Sequence, residues 1–297
     1  MEKVKRLFKR SRSLRTLHKV FKKKCWLIMD FINLKYYKYR GYPLIKTHYA
    51  RLHNFGDQFN KDLLNFLGYK LIYTESWEYS DVALTGSILQ HYHQNFKGKI
   101  LGAGYIDQKY FKETVKWEVK ILRGPLSALQ CNKDNEKIIY GDPGILASLI
   151  FKSKKNDKYK LGIVPHYVDY DFAIKYLSEF KNIRVINVRQ SPKKVSEAIL
   201  SCENIASSSL HGLIFADSFR IPNIHLKFGN LLFGGLHKFE DYYLGMDSAS
   251  EVLEYEKGMD INIILSKCQL RYSKQYLANR QQELKKVLEY ELNLIKQ

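Results

Sequence analysis

The chain predicts an α/β protein built from two doubly wound halves. Three observations carry that reading. Short apolar runs alternate with helical stretches along most of the chain, several of the runs end in glycine or a charged turn, and a lysine-rich passage separates a first set of runs from a second. With 297 residues and 45% hydrophobic content there is enough chain for two domains, each with a core.

Before the first half comes a basic segment. Residues 1–40 hold fourteen Lys or Arg against Glu2 and Asp30, so twelve of the nineteen excess charges lie there. Leu7, Leu14, Leu17 and Phe21, with Phe8 beside them, recur at helical spacing among Lys3, Lys5, Arg6, Lys9, Arg10, Arg12 and Arg15, which describes a basic amphipathic helix. The apolar run that follows, Cys25 to Ile32, is well short of the roughly 20 residues a membrane span needs and is interrupted by Asp30. No small-residue cleavage site follows it, as a secretory signal would require. The segment is expected to lie on an anionic membrane surface through residues 1–32, on the cytoplasmic side of the cell membrane. A solvated tail, or one that seeks nucleic acid without sequence specificity, is the alternative.

Leu71 to Thr74, Asp81 to Thr85, Lys99 to Leu101, Lys120 to Leu122 and Lys137 to Tyr140 read as strands of the first half. Gly86-Ser87, Gly102-Ala103-Gly104, Arg123-Gly124-Pro125 and Gly141-Asp142-Pro143-Gly144 follow apolar runs, where an open α/β sheet places its ligand-binding loops. The polar passage Lys152 to Lys158 marks the boundary. Lys160 to Val164, Ile183 to Val188, Asn204 to Ser207 and Asn223 to Leu226 then read as strands of the second half, with helical patterns at Phe172 to Phe180 and Lys193 to Ser201. From Asn262 to Gln297 the chain is helical, with Leu284, Leu288 and Leu292 one turn apart and Ile295 beyond. The domains expected are residues 1–40, a basic membrane-surface segment; 41–151, a first α/β domain; 152–261, a second; and 262–297, a helical tail.

Cys25, Cys131, Cys202 and Cys268 are dispersed and form no C-x-x-C pair, so neither a disulfide framework nor a structural zinc is expected, and a reducing cytosol fits. His91-x-His93 would put two imidazoles on one face of a strand, but no third ligand stands nearby in sequence, and no metal is expected. Ser207-Ser208-Ser209-Leu210-His211-Gly212 joins a buried strand to a helical pattern over Gly212 to Phe219. Such a strand-to-helix turn favours an anion, because unpaired N–H groups and the positive helix end converge there. Alternatively Ser208 or Ser209 only caps the helix, and His211 is a hydrogen-bonded neighbour. Asn54 and Asp57 flank a glycine turn opening a helical pattern over Gln58 to Phe66, where capping is again the simple alternative.

Six motifs stand in order between about residues 50 and 245: Asn54-Phe55-Gly56-Asp57, Arg123-Gly124-Pro125-Leu126-Ser127, Gly141-Asp142-Pro143-Gly144, Ile163-Val164-Pro165-His166-Tyr167, Ser208-Ser209-Leu210-His211-Gly212 followed by Ile221-Pro222, and Lys238-Phe239-Glu240-Asp241-Tyr242-Tyr243. In this set and order the chain resembles the polysaccharide pyruvyltransferase family. The resemblance implies two Rossmann-like domains in a GT-B-like arrangement. It implies transfer of a pyruvyl group from phosphoenolpyruvate, as co-substrate with no other cofactor, onto two hydroxyls of a saccharide acceptor as a cyclic ketal in surface polysaccharide biosynthesis.

That chemistry needs cations or N–H donors for a carboxylate and a phosphate, and a proton for the enol carbon C3. The resemblance assigns donor binding to Arg123, Lys238, Ser208, Ser209, Leu210 and Gly212. An Arg fork suits a carboxylate or phosphate. His211 is the candidate general acid, since imidazole titrates near neutrality and a neighbouring phosphate would raise its pKa; its alternative role is phosphate binding. Asp57 is expected to orient or deprotonate an acceptor hydroxyl, and Asn54 and His166 to line the cleft, a structural histidine being the alternative for His166. Many family members carry an Arg before the Leu-His pair; here Ser209 stands there, leaving a hydroxyl and helix N–H groups in place of a cation. The 22 Tyr and 16 Phe suit sugar stacking as well as a core. The resemblance also implies a lipid-linked acceptor, which surface docking would concentrate. The competing readings are a GT-B glycosyltransferase using a nucleotide sugar and a non-catalytic membrane- or nucleic-acid-binding protein. Specific nucleic-acid binding is not expected, because the charge falls away after residue 40 and the polar motifs gather at strand ends.

Overall fold

A computed structural model describes residues 26, 28–51, 54–109, 115–133, 137–152, 158–229 and 235–295. The basic amphipathic pattern from Leu7 to Phe21, and Cys25, lie outside the described residues, as does most of the passage between the two halves. The chain divides into two compact units next to Leu44. In the first, residues 28–39 form helix α1, on which Ile28, Met29, Phe31, Ile32, Tyr36 and Tyr39 are exposed. Lys35 lays its ammonium over the Phe31 ring one turn away, 4.6 Å from the centroid.

The second unit carries two sheets. The first contains β1 (Leu44–Thr47), β2 (Lys70–Tyr73), β3 (Val82–Ala83), β4 (Lys99–Leu101), β5 (Glu118–Leu122) and β6 (Ile139–Tyr140), in the order β2-β1-β3-β4-β5-β6. The second contains β7 (Tyr159–Val164), β8 (Ile183–Val185), β9 (Cys202–Ser207), β10 (Asn223–Lys227) and β11 (Val252–Glu254), in the order β11-β10-β9-β7-β8. Neighbours run parallel from β1 through β3, β4 and β5 to β6, and throughout the second sheet. Strands buried on both faces explain why the sequence shows near-continuous apolar runs instead of alternation. In β7 the last four residues, Leu161 to Val164, are all buried, and Val164 stands opposite Ser207 of β9.

Each sheet places its first strand inside the order, so the winding reverses between β1 and β3 and again between β7 and β9. Crevices at such reversals, off the carboxyl ends of the strands, hold ligands in open α/β sheets.

The helices are α2 (Phe55–Phe66), α3 (Pro125–Gln130), α4 (Ala147–Ile150), α5 (Tyr170–Leu177), α6 (Pro192–Ile199), α7 (Leu210–Ser218), α8 (His237–Gly245), α9 (Ile261–Lys267) and α10 (Lys274–Ile295). All nine residues of α7 are buried, so it shows no amphipathic stripe. The helical tail expected from residue 262 is two helices. At the break between them Gln269 pairs with Asn223, N–H to carbonyl in both directions at 3.1 and 2.9 Å, as a short antiparallel bridge at the start of β10. Helix α10 packs Leu277, Leu284, Leu288 and Leu292 into one apolar cluster, together with Leu101 and Ile121 of the first sheet and Val164 and Ile205 of the second. Its polar side chains reach both halves: Arg280 donates to the Tyr140 and Gly245 carbonyls at 2.7 Å each, and Lys99 meets Glu291 at 2.6 Å. Among the described residues no helix is long and apolar enough to cross a membrane.

Candidate functional site

A cavity of about 800 Å³ opens off both winding reversals at once. His48 follows β1, Ser87 lies beyond β3, His166 follows β7 and Ser209 follows β9, and all four line it. Its polar floor comes from three helix starts: Asn54 and Asp57 at α2, Ser209, Leu210 and His211 at α7, and Lys238 at α8.

The start of α2 is held in place by backbone-directed bonds. Asn54 caps the helix by accepting the Gly56 N–H at 3.2 Å, and the Phe55 N–H donates to the Val188 carbonyl at 2.9 Å. Thr85, beyond β3, donates its hydroxyl to the Gly56 carbonyl at 3.2 Å and its N–H to Asn60 Oδ1 at 3.0 Å. The glycine is required by its neighbour: a Cβ at Gly56 would sit 2.2 Å from Cγ and Nδ1 of the His211 ring.

Helix α7 begins two residues earlier than its pattern suggests, at Leu210, which puts His211 inside the first turn and makes Ser209 the capping position. Ser209 makes no side-chain cap bond. The Gly212 and Leu213 N–H groups both return to the Ser209 carbonyl, at 3.0 and 3.3 Å, while the N–H groups of Leu210 and His211 have no intrahelical acceptor. The neighbouring serines are engaged elsewhere. Ser207 donates to the Val164 carbonyl at 2.7 Å; Ser208 donates to Asp169 Oδ2 at 2.6 Å and accepts the His166 N–H at 2.8 Å. Ser208 faces a second, smaller cavity of about 140 Å³, and Gly212 is a packing residue, since a Cβ there would stand 2.3 Å from Ser207 Oγ. Of the residues expected on the donor in this motif, Ser209 and Leu210 reach the large cavity with His211, whereas Ser208 and Gly212 fix the turn behind it.

Lys238 stands in the first turn of α8 and is 6% exposed. Its ammonium has no ion-pair partner among the described residues and lies 5.3 Å from the centroid of the Phe239 ring. Burial, and then the Arg123 charge, push its pKa down to about 8, while Asp57 and Asp169 oppose the shift. Asp57 moves the other way, up to about 7, chiefly through burial, with Asp142 adding to the shift and Lys238 and Asn54 opposing it. A carboxyl and an amine that exchange protons near neutrality thus share one cavity. Burial pushes His166 down to about 3, with Lys238 contributing, so its imidazole is neutral; it packs on Tyr167 at 4.2 Å. Burial also lowers His211, opposed by Asp142.

Arg123 is placed behind the cavity, not in it. It is fully buried at the end of β5; its Nε–H meets Asp241 Oδ2 at 2.9 Å, one terminal nitrogen donates to Ser87 Oγ at 2.7 Å and the other to the Tyr105 carbonyl. Asp241 also accepts the Ser127 N–H and hydroxyl, at 2.9 and 2.7 Å. The guanidinium lies against Gly104, where a Cβ would approach Cζ to 2.5 Å. Its fork is therefore spent on the protein, and it reaches the cavity only through Ser87 and its field.

Sequence reasoning singled out neither Trp77, Gln90 nor Arg189, which also line the cavity. Trp77 stacks on His93 with planes 18° apart, while His91 lines the cavity itself. An aromatic at the rim of a polar pocket leaves a weak signal in one sequence, because aromatics fill cores as well. Among the described residues no group of three or more His, Cys, Asp or Glu is arranged to hold a metal ion.

No family model matches the chain. It is similar to the succinoglycan biosynthesis protein ExoV of Rhizobium meliloti (strain 1021), 29% identical over 182 residues that cover 57% of this chain and 54% of that protein. It is also 32% identical to an uncharacterized protein of Acanthamoeba polyphaga mimivirus over 206 residues, 64% of this chain and 69% of that protein. At that identity and coverage the chain belongs to the same protein family as the mimivirus protein.

Proposed function

We propose that the protein is a polysaccharide pyruvyltransferase that moves a pyruvyl group from phosphoenolpyruvate onto two hydroxyls of a saccharide as a cyclic ketal. The observation that carries the reading is Lys238, a buried ammonium without an ion-pair partner among the described residues, in the cavity that also receives the first turn of α7. Burying a cation costs free energy unless an anion joins it, and a helix start supplies N–H donors for one. A ligand with both a carboxylate and a phosphate answers both features. The likeness to a protein of succinoglycan biosynthesis supports a surface saccharide as the acceptor.

In this reading the two strand sets are Rossmann-like domains in a GT-B-like pairing, with the donor on the second. Lys238, the Leu210 and His211 N–H groups and the Ser209 hydroxyl hold the anionic donor. The incoming phosphate raises the pKa of His211, which delivers a proton to C3 as C2 becomes electrophilic. Asp57 takes the proton of the attacking hydroxyl, and Asn54 and His166 shape the wall beside it. The C2–O bond to phosphorus breaks and two C–O bonds to the acceptor form. Of the two hydroxyl protons lost, one balances the proton at C3 and the other leaves on inorganic phosphate. The basic residues of 1–32 and the exposed apolar side chains of α1 dock the protein on the cytoplasmic face of the membrane, beside a lipid-linked acceptor.

Lys238→Met, which keeps an unbranched side chain and removes the charge, tests the donor site. A charge-assisted bond contributes roughly 1.5–3 kcal/mol, so calorimetry should show phosphoenolpyruvate binding at least about tenfold weaker. Equal affinity in the variant would remove Lys238 from the donor site.

A further inference from the structure

Two buried polar atoms face each other across a gap slightly too long for a hydrogen bond. His211 Nε2 lies 3.7 Å from Asp142 Oδ2; neither atom has a hydrogen-bond partner among the described residues, and both are shut off from solvent. The side chains are 7% and 1% exposed. Two unsatisfied groups placed together out of water are each costly alone, and a closure of less than about 1 Å brings them into the hydrogen-bonding range. The rest of the constellation is built. Asp142 Oδ1 accepts the Gly144 N–H at 2.8 Å, which anchors the carboxylate at the head of the short helix Pro143–Leu146 and leaves Oδ2 free for the ring. Gly144 stays clear of the same ring, its Cβ position lying 3.5 Å from His211 Cδ2. On the ring's other edge a Cβ at Gly56 would stand 2.2 Å from Nδ1, so only a glycine leaves room for the ring there.

We infer that Asp142 is a positioning residue for His211: its Oδ2 accepts the Nε2–H, which fixes the tautomer and makes Nδ1 the nitrogen that takes up and hands on the proton. The role in proton transfer rests on the proposed function; the tautomer does not. The only chemistry is a proton. Neutral His211 with Nε2–H has its lone pair on Nδ1, accepts a proton there to become an imidazolium beside the Asp142 carboxylate, and returns to the neutral ring when C3 takes the proton. The charged groups acting on the imidazole come from three elements: Asp142 after β6, which favours the imidazolium, and Arg123 after β5 and Lys238 on α8, which oppose it. Asp57 of α2 shares the cavity. With two cations and burial against it, the ring holds a proton only if Asp142 stays ionised and aligned.

Asp142→Asn separates positioning from packing. The Asn oxygen still accepts the Gly144 N–H, but its amide then turns a donor toward Nε2, which selects the opposite tautomer. The tautomer is read by nitrogen-15 NMR of the imidazole in the full chain without donor. In the wild type, Nε2 should carry the hydrogen and Nδ1 the lone pair. In Asp142→Asn these should exchange, and His211 should titrate at lower pH. Under the proposed reaction kcat should fall at least about tenfold, with the KM for phosphoenolpyruvate changing much less, and Asp142→Glu should recover part of the loss. A wild-type ring protonated on Nδ1, or a tautomer and titration unaltered in Asp142→Asn, would overturn the assignment; the wild-type spectrum decides even if the variant fails to fold. The predicted tautomers with no phosphate released from phosphoenolpyruvate by either protein would leave the positioning intact and refute the reaction instead.

Discussion

At the scale of single residues the cavity is a place where burial, more than pairing, sets protonation. Asp57 illustrates it. Its carboxyl, 9% exposed, is pushed up to about 7 by loss of water, so near neutral pH it is divided between acid and carboxylate. The same shift bears on stability. An acid whose folded pKa is raised binds a proton more tightly in the native state, so its contribution to stability is full below the unfolded value of about 4 and is lost as pH rises toward 7. Asp57→Asn removes that loss while keeping the shape. Thermal denaturation should find the variant more stable than wild type at pH 8, by an amount on the order of 1–3 kcal/mol, with the difference shrinking as pH falls and vanishing below about pH 4. A variant less stable at pH 8 would mean that the ionised carboxylate is well solvated or paired. Asp57, His211 and Lys238 are legible in the sequence as residue types suited to proton transfer and anion binding. That Asp57, His211 and Lys238 meet in one cavity, with Asp142 buried beside the His211 ring, is not, because the partners arrive from four separate elements.

Arg123 shows what decides a residue's role at the scale of elements. In sequence it stands where a cation at a strand end reads as a ligand hook. In the fold it ties three elements together: the end of β5, α3 through Ser127, and α8 through Asp241, which is 118 positions away. Nothing local announces that partner. Removing one member of a buried ion pair leaves the other charge uncompensated and costs about 3–5 kcal/mol, so Arg123→Ala should lower the melting temperature strongly and reduce folded yield, with loss of activity following loss of fold. A variant with wild-type stability and weakened phosphoenolpyruvate binding would instead return Arg123 to the ligand. Most strands are readable because parallel strands buried on both faces are short apolar runs, but β1 and β11 escape that test. β1 is Leu-Ile-Lys-Thr with a charged residue inside it, and β11 is a three-residue edge strand set among Glu251, Glu254 and Glu256. The break between α9 and α10 is equally hidden, since it depends on Gln269 pairing with Asn223, far from it in sequence.

In the whole molecule a basic amino-terminal segment precedes the unit that holds the cavity. Charge and apolar surface coincide there: twelve excess positive charges within residues 1–40, and Ile28, Met29, Phe31 and Ile32 exposed on α1. Basic residues near an anionic surface contribute roughly 1 kcal/mol each. Deleting residues 1–32 should therefore abolish co-sedimentation with anionic vesicles at low salt and slow reaction with a lipid-linked acceptor, while sparing a soluble one. Equal vesicle binding by both forms would reduce the segment to a solvated tail.

The proposed reaction makes two products, and they are best followed together. The full-length protein is incubated with phosphoenolpyruvate and a panel of saccharides bearing paired free hydroxyls, inorganic phosphate is assayed, and the saccharide is examined by mass spectrometry. Phosphate should be released in equal amount to a pyruvyl ketal on one class of acceptor, with neither product formed when phosphoenolpyruvate or acceptor is omitted. Folded protein that leaves phosphoenolpyruvate untouched across the panel, yet transfers a sugar from a nucleotide donor to the same acceptors, would contradict the proposed reaction.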